Sequence, residues 1–254
     1  MKKMILFMLS CSLIFCACSE NTKTTNLIEW TEIFENHSKF DLMFVIMNYG
    51  VIFEEDEPTP TTHRLTFVYT EEDKFIRDIS AKINNVEQQI QYFFEIPYVE
   101  YDFIQGEFYL IEVLADSCFS SATIRIPFNP IVNNFPDDFD PQLDTTITWH
   151  LDQNSQAQFA NLYSSLANEN IIDHDFTSIS PKARQYTFKA NSSLLDMPNY
   201  NIYIMNTNFV IKDKEKVIFI AIDGHQKFYN KDDSNYPSYC EVNKKMIELV
   251  RKLQ

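Results

Sequence analysis

Hydrophobic positions along this chain mostly alternate with polar ones, and only near the end does an apolar stripe recur at three and four without alternating as well. Alternation is the mark of an extended strand with one buried face, because successive side chains point to opposite sides. Thr146-Ile147-Thr148-Trp149-His150-Leu151 alternates cleanly, which puts Ile147, Trp149 and Leu151 inside and His150 outside. Tyr186-Thr187-Phe188-Lys189-Ala190 alternates too, and Leu42 to Met47 is a short apolar run that suits a buried strand. Phe209 to Ile211 and Val217 to Ile222 flank the charged run Lys212 to Lys216, which predicts a hairpin with the charges at its tip. The exception is the C-terminus. Ser238 with Glu241 forms a capping box after Pro237. Val242, Met246, Leu249, Val250 and Leu253 then share one helical face, opposite Lys244, Lys245, Arg251 and Lys252. That pattern predicts a short amphipathic helix, docked on its own sandwich or offered to a partner.

The stretch from Glu71 to Phe94 satisfies both periods. Phe75, Ile79, Ile83, Val86, Ile90 and Phe93 fall at helical spacing, with Thr70 and Asp73 placed to cap them. Ile79, Ala81 and Ile83 also alternate strictly and end on Asn84-Asn85, and asparagine tolerates the positive φ of a tight hairpin. Local pattern favours the helix slightly. The wider pattern favours strands. Leu65 to Tyr69, Ile76 to Asn85, Pro97 to Phe103, Gly106 to Asp116 and Ser120 to Ile126 together resemble a bacterial immunoglobulin-like domain. In that family Gly-x-Tyr-x-Leu opens the penultimate strand, matched by Gly106, Phe108 and Leu110, and an Asn-Gly turn ends an early one, matched by Asn84-Asn85. The resemblance implies strands across 71–92.

Beyond it, Trp149, the alternation at Tyr186 to Ala190, and Leu195-Asp-Met-Pro198-Asn-Tyr200 resemble a fibronectin type III domain, with its core Trp and its corner before the penultimate strand. The expected class is all-β: two tandem immunoglobulin-like sandwiches, at 41–128 and 129–230, with a C-terminal amphipathic helix within 231–254.

The first residues carry an address. Lys2 and Lys3 precede an apolar run from Met4 to Phe15, too short for the ~20 residues that span a bilayer core. Phe15-Cys16-Ala17-Cys18 resembles a bacterial lipobox. The resemblance implies cleavage after Ala17, acylation of Cys18, a tether over 18–40 and a lipid-anchored protein; Ser19 after the cysteine favours the outer membrane, on either face. Two or three acyl chains suffice for stable anchoring.

Composition then narrows the function. With 36 Asp plus Glu against 21 Lys plus Arg, the net charge is −15, which argues against nucleic acid. Only 3 glycines are present, so no glycine-rich loop can cradle a phosphate. Cys11 and Cys16 leave with the signal. Cys118 and Cys240 remain as candidates for a disulfide in an oxidising envelope, the alternative being that they are unpaired or buried. His37, His63, His150, His174 and His225 show no metal-ligand spacing. Asp173-His174-Asp175 could orient an imidazole or hold a metal, and Asp137, Asp138, Asp140 and Asp144 cluster as calcium ligands do, though without the glycine of a helix-loop-helix site. No serine lies in a Gly-x-Ser-x-Gly elbow. The expected protein has no catalytic residues, no metal and no cofactor, calcium at the acidic loop being the one weak exception. It is a non-catalytic binding or assembly module of the cell envelope with a protein or glycan partner. Glycan binding in polysaccharide uptake is the alternative, with an exposed aromatic such as Tyr203 stacking on sugar; an enzyme with an unrecognised site is the third reading.

Overall fold

The computed structural model describes residues 40–48, 63–69, 75–93, 96–165, 171–191, 199–212, 214 and 216–230. Within them the chain is all-β: β1 (Leu42–Asn48), β2 (His63–Tyr69), β3 (Ile79–Ile83), β4 (Val86–Glu87), β5 (Gln91–Phe93), β6 (Ile96–Tyr101), β7 (Phe108–Ala115), β8 (Cys118–Arg125), β9 (Ile131–Val132), β10 (Thr145–His150), β11 (Ala157–Ser165), β12 (Ile171–Ile179), β13 (Gln185–Phe188), β14 (Asn199–Lys212) and β15 (Val217–Asn230). The N-terminal signal, Cys18, the tether up to residue 39, Cys240 and the helix expected within 231–254 lie outside the described residues.

One sheet organises the molecule. Eight strands run in the order β12-β11-β14-β15-β1-β2-β6-β5, and two smaller sheets, β4-β3-β7-β8 and β13-β10-β9, accompany it. The first core joins Leu42, Phe44 and Ile46 of β1 and Leu65 and Phe67 of β2 to Ala81, Ile83, Ile111, Val113 and Ile124 of the four-stranded sheet. The second joins Leu162, Tyr200, Ile202 and Ile204 of the large sheet to Ile147, Trp149 and Phe188 of the three-stranded one. Each is a sandwich, sheet face on sheet face.

The two sandwiches share strands. Sequence pattern assigns all of 129–230 to the second, but β15 lies parallel to β1, with Leu42 opposite Val217 and Met47 opposite Ile222. Its first half therefore gives Val217, Phe219 and Ala221 to the first core, and its second half gives Tyr229 to the second. Phe44 packs edge-on against Phe67 at 5.7 Å and Phe219 at 4.9 Å, tying β2, β1 and β15 together. Such aromatic pairs add ~0.5–1.5 kcal/mol each beyond burial.

Turns follow the expected chemistry. Asn84 and Asn85 both take positive φ, at 50° and 65°, between paired Ile83 and Val86. This is a two-residue hairpin loop, not a helical turn. Asn84 also braces the next strand: its amide donates to the Leu110 carbonyl at 2.8 Å and its Oδ1 accepts from Leu110 N at 2.9 Å. The β14–β15 hairpin turns between Lys212 and Val217, as the charged run predicts. Gly106 sits at φ +84°, where a Cβ would stand 2.6 Å from the Phe128 ring.

In the second sandwich Ile147, Trp149 and Leu151 are buried and His150 is exposed, so the phase of β10 is as expected. In the first, β7 is one residue out of phase with the family motif. Phe108, in the motif's tyrosine position, is 64% exposed, and Tyr109 is buried instead. Tyr109 shares the inward face with Ile111, Val113 and Ala115, and its Oη accepts from Ile104 N at 2.9 Å.

Candidate binding face on the four-stranded sheet

The inward residues of β7 are Tyr109, Ile111, Val113 and Ala115. Phe108, Leu110, Glu112 and Leu114 take the opposite face, so this strand is apolar on both sides. On β8 the register sets Phe119 opposite Leu114, Ser121 opposite Glu112, Thr123 opposite Leu110 and Arg125 opposite Phe108. From β3, Lys82 lies opposite Glu112 and Ser80 opposite Leu114. The outer face thus has a polar centre, Lys82-Glu112-Ser121, between two apolar ends.

At one end Leu114 and Phe119 are 43% and 58% exposed as a direct cross-strand pair. Burying two such side chains is worth ~1.5–3 kcal/mol each, and here that stabilisation is forgone. At the other end Arg125 is held in place. Its Nε donates to the Gly106 carbonyl at 3.0 Å and its Nη2 to Gln153, and its guanidinium lies 5.8 Å from the Phe108 ring and 5.4 Å from that of Phe128. Arginine stacked and hydrogen-bonded in this way is a pre-ordered, amphipathic contact group.

A second polar constellation lies where the sandwiches meet. His63 Nε2 lies 3.5 Å from Asp223 Oδ2 without a hydrogen bond to it; that oxygen accepts from Gln105 Nε2 at 2.9 Å, and Gln105 Oε1 accepts from Asn129 N at 3.2 Å. Asn206 Nδ2 donates to the Phe128 carbonyl at 2.6 Å and Asn208 Nδ2 to the Arg125 carbonyl at 3.0 Å. Nearby, His225 Nδ1 accepts from Val132 N at 3.1 Å, which requires an unprotonated nitrogen there. Burial pushes the His225 pKa below the ordinary imidazole range, partly opposed by the Pro130 backbone. His63, Asp223 and Asn206 are buried, so these groups clasp Gln105 and the segment 125–132 to the long strands.

The other sequence candidates separate. A register shift between Leu162 and Tyr163 skips His174, pairing Leu162 with Asp175 and Tyr163 with Asp173. His174 Nε2 then meets Ser164 Oγ at 2.6 Å, while Asp175 accepts from Tyr186 Oη at 2.8 Å and from Thr177. Desolvation raises the Tyr186 pKa. Ser164 and His174 have the spacing of a nucleophile and its base, but Ser164 is buried, at 0% exposure. In the acidic loop, Asp144 is committed to Lys189 Nζ at 2.7 Å and Ala190 N at 2.8 Å, and the lysine's hydrogen bond lowers its pKa. Asp140 accepts from Gln142 N at 2.9 Å. No three His, Cys, Asp or Glu side chains converge as metal ligands among the described residues. His150 pairs with Asp152 at 3.1 Å in solvent. Tyr203, considered as an outward aromatic, is buried at 3% exposure. Cys118 opens β8, half-buried.

The sequence reading overlooks the Leu114–Phe119 pair and the Arg125 clamp. A signal was present: 108–115 reads Phe-Tyr-Leu-Ile-Glu-Val-Leu-Ala, with one polar residue in eight, which puts apolar groups on both faces of any strand.

No family model matches the sequence, and no curated protein is similar to it. Among solved structures, the fibronectin(III)-like modules of Clostridium thermocellum CbhA align at 8% identity over 77% of this chain and 98% of theirs, with TM-score 0.21. The chicken CNTN1 FN1–FN3 domains align at 14% identity over 69% of this chain and 67% of theirs, with TM-score 0.19. The all-β assignment rests on the strand pairing itself.

Proposed function

We propose that this chain is a non-catalytic binding or assembly module of the bacterial cell envelope, anchored in the outer membrane through acylated Cys18. Its partner is a protein that docks on the outer face of β3, β7 and β8. The observation that carries the binding half is the exposed cross-strand pair Leu114–Phe119 on a strand that is apolar on both faces. The anchor half rests on the lipobox resemblance of Phe15 to Cys18. A glycan platform needs coplanar aromatic rings within one sugar chain's reach. Phe108 and Phe119 sit at opposite ends of β7 and β8, ~20 Å apart at strand rise, and do not form one. The polar pairs that resemble catalytic groups, Ser164–His174 and His63–Asp223, include members closed to solvent, which disfavours the enzymatic reading.

Two measurements test the proposal. The intact mass of the membrane-extracted protein should correspond to a chain beginning at Cys18 with its acyl chains, and Cys18→Ser should leave an unprocessed precursor that does not partition into detergent. Leu114→Glu with Phe119→Glu should then abolish co-purification of the partner with the anchored protein, while Tm stays within about 2 °C because neither side chain is in a core. A mature N-terminus elsewhere defeats the anchor half; an unchanged set of co-purifying proteins defeats the binding half.

A further inference from the structure

The eight-stranded sheet is buried on its other face as well. Met43, Val45 and Met47 of β1, Ile218, Ile220 and Ile222 of β15, Tyr203, Met205 and Phe209 of β14, and Ala157 and Phe159 of β11 form a third apolar cluster with Phe40. All are 8% exposed or less. These residues point away from both sandwich cores, since their neighbours in sequence fill those cores. Side chains on one sheet face stand side by side and cannot hide one another from solvent; a face this dry has something packed on it. No residue of either small sheet belongs to the cluster. Neither small sheet therefore supplies the cover.

We infer that residues 238–254 fold as the amphipathic helix their pattern predicts and cover this face, seating Val242, Met246, Leu249, Val250 and Leu253 on β1, β15, β14 and β11. The dimensions agree. The four strands span ~14 Å from β1 to β11, three inter-strand spacings, against ~10–12 Å for a helix with its side chains. On one side the dry strip ends at β12, where Phe176, stacked 5.4 Å from Phe159, is 37% exposed; on the other it runs past β1 to Thr66 of β2, which is buried on the same face. Connectivity agrees as well. β15 is central to the strip and ends at Asn230. The connection 231–237 reaches at most ~24 Å, and the helix adds ~25 Å. Together these exceed the ~40 Å back along β15 to Ile218. So short a tether keeps the helix at high effective concentration over the face. Its opposite side would present Lys244, Lys245, Arg251 and Lys252 outward on a chain of net charge −15. This goes beyond the proposed binding role, because the occupant is the chain's own terminus and the face is not the one offered to a partner.

A photo-crosslinking residue in place of Leu249 in the full-length chain provides the direct test. Crosslinks within one molecule to peptides of β1, β11, β14 or β15 are the expected result. Crosslinks only between molecules, or only to other parts of the chain, overturn the inference. Stripe variants provide the second test. Met246→Asp with Leu249→Asp should lower Tm by about 10 °C and raise binding of an apolar dye, and Lys245→Asp on the polar side should change neither. Wild-type Tm and dye binding in the stripe variant overturn it. So does the same loss produced by Leu27→Asp with Ile33→Asp while the C-terminal stripe stays silent.

Discussion

Neighbouring residues in this protein can differ by an order of magnitude in what they contribute. Trp149 fills the second core and His150 points to solvent beside it. Trp149→Ala should destabilise by about 3–5 kcal/mol, while His150→Ala should change stability by under about 0.5 kcal/mol, both read from denaturant midpoints. Equal effects would place β10 in the wrong phase. His225 makes a prediction about pH. Its folded pKa lies below the unfolded value near 6.5, because burial penalises the imidazolium. Above about pH 6.5 both states are neutral there and nothing is lost. As pH falls below that, the unfolded chain binds the proton first and stability declines, until the lowered folded pKa is reached. His225→Gln should flatten the stability–pH curve across that window relative to wild type, measured by urea unfolding at a series of pH values. An unchanged slope would show that other groups set it. Tyr109 illustrates the limit of motif reading at this scale: the family pattern points to Phe108, but Tyr109 takes the inward face and its hydroxyl accepts from the Ile104 amide.

At the scale of the element, the hairpin at Asn84-Asn85 shows how two periods can be confused. Ile79 and Ile83 are four apart, a spacing that lands on one face of a helix and of a strand alike. Ala81 between them discriminates, and it is buried on the same side as Ile83. Asn85 at φ 65° makes glycine the natural replacement there, so Asn85→Gly should be neutral or stabilising. Asn84→Ala removes both a residue tolerant of positive φ and the acceptor for Leu110 N, and should destabilise by about 1–3 kcal/mol. Thermal melts of the two variants check this; equal losses in both would mean that the turn conformation is not what matters. The β7–β8 pair carries the binding face on the same logic of alternation, with its second apolar side turned to solvent.

For the whole molecule, the consequential fact is that β15 serves two cores. Phe219 lies far along the chain, among residues whose pattern belongs to the second sandwich, yet it packs on Phe44 in the first. A fragment ending at residue 128 loses Val217, Phe219 and Ala221 from its core and leaves β1 without its parallel neighbour. It should not fold alone, as judged by amide spectra with poor dispersion. Phe219→Ala should destabilise by about 3–5 kcal/mol, and Trp149 fluorescence and far-UV circular dichroism should report one coincident transition. Separate transitions would mean that the sandwiches are independent despite the shared strands.

Across 71–92 local pattern slightly favours a helix and only the wider resemblance chooses strands and the Asn84-Asn85 hairpin, but sequence alone determined the phase of β10 and the charged tip before Val217. Each of these two depends on residues within a few positions of one another, through side-chain alternation or a charged run between apolar ones. Tertiary structure decided which strands are neighbours. The run Leu42 to Met47 announces burial on both faces, but nothing in it names β15 as its parallel partner, because alternation encodes the faces of a strand and not its edges. The same holds for the candidate face. Leu114 and Phe119 read as ordinary core residues in sequence, and only the packing of Tyr109, Ile111 and Val113 against the large sheet leaves them in solvent.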